Sequence, residues 1–190
     1  FLKISYKTYV YENESPRALD VGFLVKKNSG IKVTKSINVI LKTKGIPLAR
    51  SIGELHIEKD GLKYILLTAH IKSRISKNTE GKNYRRRRNE VLNLKSHVKM
   101  IKKKNPNSEV IVCGDFNSDG MAPKEMKKDF VDFNDIEKRS KDSKYTHIAF
   151  KGKKTKKLQL DYIFTSKKLS KKILLKDSFS YRFFKKDGIT

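Results

Sequence analysis

The stretch Val110-Ile111-Val112-Cys113-Gly114-Asp115-Phe116-Asn117-Ser118-Asp119 decides how this chain is read. Its first four residues are a short apolar run, of the kind that forms a strand covered on both faces. Gly114 closes the run, and Asp115 and Asn117 follow it. A strand that ends this way sets polar groups at the rim of a sheet, where binding residues gather. Asp115 offers a hard oxygen suited to Mg²⁺ or Mn²⁺, or to orienting a water. Asn117 offers a neutral amide that binds a phosphoryl oxygen without repelling it. The same residue types also suit a plain turn, in which Asx side chains cap their own backbone.

Upstream of this segment, Val91, Leu94, Val98 and Ile101 recur at helical spacing. They predict a helix from about Tyr84 to Lys103, ending before Asn105-Pro106. Before the helix the pattern is that of strands. Ser51 to Ile57 and Lys63 to Ile71 read as a hairpin joined by Lys59-Asp60-Gly61. In the second strand Tyr64, Leu66, Thr68 and His70 share one face, and Ile65, Leu67, Ala69 and Ile71 share the other. Further strands are expected at Tyr9 to Tyr11, Asp20 to Val25 and Ile37 to Leu41, with a turn at Asn13-Glu14-Ser15-Pro16. Downstream, Pro123 opens a short helix over Lys124 to Phe130, and Leu158 to Phe164 is a last strand. One long helix set between two strands makes this an α/β (α+β) layered domain spanning residues 1–190.

Lys and Arg number 45 against 20 Asp and Glu, a formal net charge of +25. Such a charge favours polyanionic partners, either nucleic acid or the anionic headgroups of a lipid surface. A genome biased towards lysine codons produces the same composition, and the lysines are spread along nearly the whole chain. Cys113 is the only cysteine, which excludes an internal disulfide and leaves a cytoplasmic or a secreted setting equally open. No apolar run approaches a transmembrane segment in length. Oligomeric state and compartment are not legible.

Gly114-Asp115-Phe116-Asn117 resembles the signature of the endonuclease/exonuclease/phosphatase superfamily, and further landmarks follow in that family's order. Arg17-Ala18-Leu19-Asp20-Val21-Gly22-Phe23-Leu24 is similar to its R-G-I-D-V-A-x-L strand. Thr68-Ala69-His70-Ile71-Lys72-Ser73 is similar to its N-x-H-x-K-S strand end. Arg85-Arg86-Arg87-Arg88-Asn89-Glu90 is similar to its R-x-x-E-A helix opening, and Gln159-Leu160-Asp161-Tyr162-Ile163-Phe164 to its R-I-D-Y-I strand. Arg50 lies 20 positions before His70, like a phosphate-contacting arginine.

The resemblance implies a DNase-I-like four-layer sandwich of two mostly antiparallel sheets flanked by helices. It implies Mg²⁺ as cofactor, with Mn²⁺ as the substitute, held at Asp115 and Asn117. It implies His70, Asp115, Asn117 and Asp161 as catalytic residues, with Asp161 orienting a histidine. Arg50, Lys72 and Asn117 would then bind substrate phosphate. Two family elements have no match: an early Gln-Glu and a closing Ser-Asp-His, which Lys186-Asp187-Gly188-Ile189-Thr190 approaches without reaching. The expectation is a fragment that hydrolyses little by itself, taken from a phosphodiester hydrolase acting on DNA or RNA. Within the same fold the alternative substrates are phosphoinositides or sphingomyelin. Outside enzymes, the alternative is a non-catalytic, basic nucleic-acid-binding module.

Overall fold

A computed structural model describes residues 5–12, 19–43, 46–47, 50–73, 80–136, 145–151 and 154–173. The expectations for Arg17, for the turn at Asn13 to Pro16 and for Lys186 to Thr190 lie outside the described residues. The chain opens with β1 (Tyr6–Tyr11), β2 (Val21–Lys26), β3 (Lys32–Val39) and two short strands, β4 (Lys42–Thr43) and β5 (Ile46–Pro47). The long hairpin follows as β6 (Ile52–Lys59) and β7 (Leu62–His70). Helix α1 (Glu80–Lys104) then crosses to β8 (Ser108–Asp115). After it come α2 (Met121–Met126), β9 (Val131–Asp132), α3 (Phe133–Ile136), β10 (His147–Lys151), β11 (Lys154–Leu158), β12 (Asp161–Thr165) and α4 (Lys167–Ser170).

Among the described residues, six strands form the central sheet in the order β3-β6-β7-β8-β12-β9. Only β7 and β8 pair in parallel; the other neighbours are antiparallel. The expected hairpin is present, with Asp60 at φ 51° and Gly61 at φ 74°. Two successive left-handed residues are what a tight hairpin turn demands, and Asp-Gly supplies them.

The alternation in β7 divides the sheet into two faces. Ile65, Leu67, Ala69 and Ile71 pack with Val91, Leu94, Val98 and Ile101 of α1 in one core, joined by Val110, Val112, Phe116, Tyr162 and Phe164. Each buried Val, Leu, Ile or Phe among them contributes about 1.5–3 kcal/mol by leaving water. On the opposite face β1 and β2 cover the sheet. There Tyr11 lies over Gly53, where an added Cβ would sit 2.2 Å from the ring. The Tyr11 hydroxyl donates to the Glu54 carbonyl at 3.3 Å and lies 3.0 Å from Ser36 Oγ. Among the described residues no helix is long and apolar enough to cross a membrane.

Several boundaries differ from expectation. Helix α1 begins at Glu80, a turn earlier than Tyr84, so Arg85 to Arg88 do not crowd the helix N-terminus against its dipole. Helix α2 begins at Met121 and contains Pro123 in its first turn, where the missing N–H would have had no partner inside the helix. The last strand starts at Asp161, because Leu158 instead ends β11. Strand β3 reaches back to Lys32.

A buried carboxylate ties α1 to the sheet. Glu54, 4% exposed, receives His56 Nε2 at 2.6 Å on one oxygen and His97 Nε2 at 2.7 Å on the other. Burial alone would raise its pKa, but the hydrogen bonds from His97 and His56 outweigh burial and hold the carboxyl below its usual value of 4.5. A depressed carboxyl contributes stability that is present above its unfolded value and is lost as pH falls through the folded one. Glu54→Gln is therefore expected to cost about 2 kcal/mol at neutral pH, from weakened hydrogen bonds to a charged group. Its urea midpoint should also fall less steeply than the wild type's as pH is lowered below 4.5. Equal acid dependence of the two proteins would contradict this role.

Candidate active site

The parallel pairing of β7 with β8 sets His70 beside Asp115, and the antiparallel pairing of β8 with β12 sets Asp115 beside Asp161. Side chains alternate along each strand, so these three project from the face away from α1. Their neighbours Ala69, Tyr162 and Phe164 turn into the core. His70 Nε2 lies 3.5 Å from Asp115 Oδ2. Asp161 is exposed, and its backbone N–H donates to Thr146 Oγ1 at 3.0 Å.

Each residue of Gly114-Asp115-Phe116-Asn117 has a separate task. Gly114 adopts φ +138°, and a Cβ there would fall 1.9 Å from the Ala69 carbonyl oxygen. Only a glycine lets β8 approach β7 so closely at this point. The pairing then runs one residue past β7, with Ile71 N donating to Asp115 O at 2.8 Å. Phe116 is fully buried, edge-on to Tyr162 and Phe164 with centroids at 5.7 and 5.3 Å, and pins the turn to the core.

Asn117 sits in the left-handed region at φ 47°, which Asn tolerates better than most residues. Its backbone N–H donates to Asp115 Oδ1 at 2.7 Å, while its Nδ2 donates to Asp115 Oδ2 and to the Ile71 carbonyl, both at 3.0 Å. The segment is thus an Asx turn and, by the same bonds, a clamp on a carboxylate. Both amide hydrogens of Asn117 are committed inside the protein. Its Oδ1 is the acceptor atom of the same amide.

Arg50 and Lys72 are placed differently from each other. Arg50 Nη1 donates to the carbonyls of His70 and Ile71 at 3.2 and 3.3 Å, so it fixes the end of β7. Burial lowers the guanidinium pKa, with Glu90 and Asp115 opposing that shift. Lys72 is held through its backbone, whose N–H donates to Glu90 Oε2 at 2.7 Å. Glu90 and Arg87 are the residues that sequence reasoning missed as individuals. Arg87, 3% exposed, donates to the Ser73 carbonyl at 3.3 Å, and Glu90, 2% exposed, also receives Arg86 Nε at 3.3 Å. The run of four arginines therefore divides. Arg87 is a buried support, Arg86 pairs with Glu90, and Arg85 and Arg88 face solvent. The sequence signal for this was the R-x-x-E spacing of Arg87 and Glu90 within the run.

The electrostatics suit a cation. Burial raises the Asp115 pKa and the neighbouring Asp161 raises it further, against the lowering effect of the Asn117 N–H, His70 and Arg50. A hard divalent ion would relieve two adjacent carboxylates of desolvation and mutual repulsion. Magnesium is commonly held by one or two carboxylates and completes its shell with water. Among the described residues no group of three or more His, Cys, Asp or Glu is arranged to hold a metal. Asp115 and Asn117 carry the oxygen donors at this turn that could hold such an ion. His70 is pushed below its ordinary pKa by burial and by Arg50, with Asp115 and Asp161 opposing.

Residues 1–190 match the model of the Endonuclease/Exonuclease/phosphatase family. The chain belongs to that family. Its fold is DNase-I-like, as three solved structures show. Truncated Caenorhabditis elegans TDP2 is 21% identical with a TM-score of 0.65, covering 85% of this chain and 61% of that one. D. rerio TDP2 complexed with a single-strand DNA product is 18% identical with a TM-score of 0.63, covering 85% and 62%. The human Nocturnin catalytic domain with bound sulfate is 19% identical with a TM-score of 0.63, covering 85% and 60%. The chain thus spans about three-fifths of the length of these family members. No curated protein matches it.

The close approach at Gly114 yields a direct test. Gly114→Ala should destabilise the protein by about 3 kcal/mol, through a strained φ and a backbone clash. For a chain of this length that is a fall of roughly 8 °C in Tm, to be read by thermal denaturation. A Tm within 1–2 °C of wild type would show that β8 does not need the close approach.

Proposed function

We propose that this protein is a divalent-metal-dependent phosphodiester hydrolase whose substrate is DNA or RNA. The observation that carries the reading is the clamped Asp115 carboxylate, fixed through both oxygens by Asn117 and set between His70 and Asp161 on adjacent strands. A carboxylate held this way does not reorganise when a ligand arrives, which is the condition for strong electrostatic catalysis. Family membership supports phosphodiester chemistry. The net charge of +25 supports a polyanionic substrate. The D. rerio TDP2 structure, with its single-strand DNA product, supports nucleic acid over lipid.

In this reading Asp115, with Asn117 Oδ1, holds the metal or the attacking water. A bound Mg²⁺ supplies Lewis-acid polarisation of a phosphoryl oxygen. His70 donates an N–H to a non-bridging oxygen as negative charge develops there. Arg50 keeps the strand end bearing His70 in place and sets a positive charge near it. Lys72 adds a cation at the strand end. Asp161, exposed on the same face, orients the group that moves the proton. Each of these residues acts by position, so small displacements cost rate steeply.

The test is hydrolysis by the full-length protein of plasmid DNA, RNA and phosphoinositide or sphingomyelin vesicles side by side, with Mg²⁺ and with EDTA. Expected outcomes are Mg²⁺-dependent cleavage of nucleic acid alone and, for Asp115→Ala, a loss of at least a hundredfold in kcat/KM with the fold intact by circular dichroism. Asn117→Ala should fall between the two, because it releases the carboxylate without deleting it. Cleavage unchanged in Asp115→Ala, or lipid turnover exceeding that of nucleic acid, would overturn the reading.

A further inference from the structure

Between β11 and β12 the chain passes from a two-stranded sheet into the central one through Gln159 and Leu160. Thr146 immediately precedes β10, and the β10–β11 pairing folds it back against this link. Its own N–H donates to the Leu158 carbonyl at 2.9 Å. Its Oγ1 accepts two hydrogen bonds, from the Leu160 and the Asp161 N–H groups, both at 3.0 Å. We infer that Thr146 is a positioning residue for hydrolysis: its hydroxyl fixes the backbone from which Asp161 projects beside Asp115. The inference rests on the nuclease reading and adds a residue to that site.

Successive N–H groups along an extended strand point to opposite edges, so no single neighbour receives both. That one oxygen does so means the chain turns at Leu160, immediately before β12 begins. The direction in which the Asp161 side chain leaves the sheet is set at that turn. Other contacts hold the link through different atoms. Phe116 N donates to the Leu160 carbonyl at 2.8 Å, and the Tyr162 hydroxyl donates to the Gln159 carbonyl at 2.9 Å. Gln159 Nε2 reaches Asp132 Oδ2 at 3.3 Å and the Asp161 carbonyl at 3.4 Å. The Leu160 and Asp161 N–H groups are left to Thr146.

The residue type matters. A hydroxyl carries two lone pairs, enough for both donors. A methyl group in its place supplies none, and the part-buried Leu160 N–H would have to turn towards water. Thr146 is itself exposed, so it acts through these two bonds and not through packing. Asp161 stands opposite Asp115 in the strand register, and its charge reaches the Asp115 carboxyl. A tilt of the Asp161 backbone therefore changes both the field at Asp115 and the path of the proton. In such a site a displacement of about 1 Å costs on the order of a hundredfold in rate.

The experiment compares full-length wild type with Thr146→Val, Thr146→Ser, Asp161→Ala and the double variant that joins Thr146→Val to Asp161→Ala. It reads kcat and KM on plasmid DNA and RNA with Mg²⁺, and amide hydrogen exchange residue by residue. Thr146→Val should lower kcat about tenfold and leave KM within about twofold. Exchange should quicken at the Leu160 and Asp161 amides while the β7 amides keep their wild-type protection. Thr146→Ser should restore both. In the Asp161→Ala background the Thr146→Val change should cost nothing further, because the two residues act as one unit. An unchanged kcat, a loss that Thr146→Ser does not restore, or a loss that persists in full without the Asp161 carboxylate would overturn the inference. So would faster exchange throughout β7, the mark of a general loss of structure. The two readings fail separately. A wild type that cleaves neither nucleic acid refutes the nuclease reading, and amide exchange still decides whether Thr146 holds Asp161. Normal cleavage by Thr146→Val refutes the positioning role alone.

Discussion

The arrangement depends on one constraint: both oxygens of the Asp115 carboxylate are held by a single residue, Asn117. A partly buried carboxylate beside a second one would otherwise swing towards water or take up a proton. Clamping prevents the first at the cost of a left-handed backbone at Asn117. The strain is small for Asn and is anchored by Phe116, which is sealed among aromatic rings on the core side. The turn therefore couples the interior to the rim. Its odd position is packed into the core while the residues on either side of it, Asp115 and Asn117, hold each other at the surface.

Helix α1 has a second task besides covering the sheet. Its apolar stripe fills the core, but three of its polar residues reach outward to fixed points. His97 meets Glu54, while Glu90 and Arg87 hold the backbone at Lys72 and Ser73. These contacts fix the segment just after β7 from one side, and Arg50 fixes the end of the strand from the other. His70 is thus confined between a helix and an arginine that holds its backbone carbonyl. In such a basic chain, placing buried carboxylates at these junctions gives the nearby cations a specific partner.

The sequence was legible where periodicity is strong. Alternation in β7 and helical spacing in α1 place the two main faces correctly, and the Asp60-Gly61 turn follows from its residue types. His70, Asp115 and Asp161 could be singled out one by one, and the register of three adjacent strands brings them together. Other features were hidden for physical reasons. Strands β10 and β11 carry Lys156 and Lys157 and little apolar alternation, so their pairing shows no pattern. Glu54 reads as an exposed strand carboxylate until His97, 43 residues away, is known to meet it. Arg87 looks like its three neighbours, because one helical turn's difference in direction is invisible in a run of four identical cations. Helix α2 was misplaced because Pro123 looks like a start, when it is tolerated inside the first turn.

The parallel pairing of β7 and β8 also bears on how the molecule comes to be folded. Lys63 pairs with Ser108 across the whole of α1, so this contact closes a long stretch of chain before it returns any stabilisation. The hairpin of β6 and β7, by contrast, needs only its two-residue turn, and α1 only its own backbone. Loop-closure entropy therefore favours the local elements over the β7–β8 seam in the early steps. His70 and Asp115 meet only across that seam. A partly folded chain carries the basic surface but not the chemical centre, so ordering of the site and completion of the fold are one event.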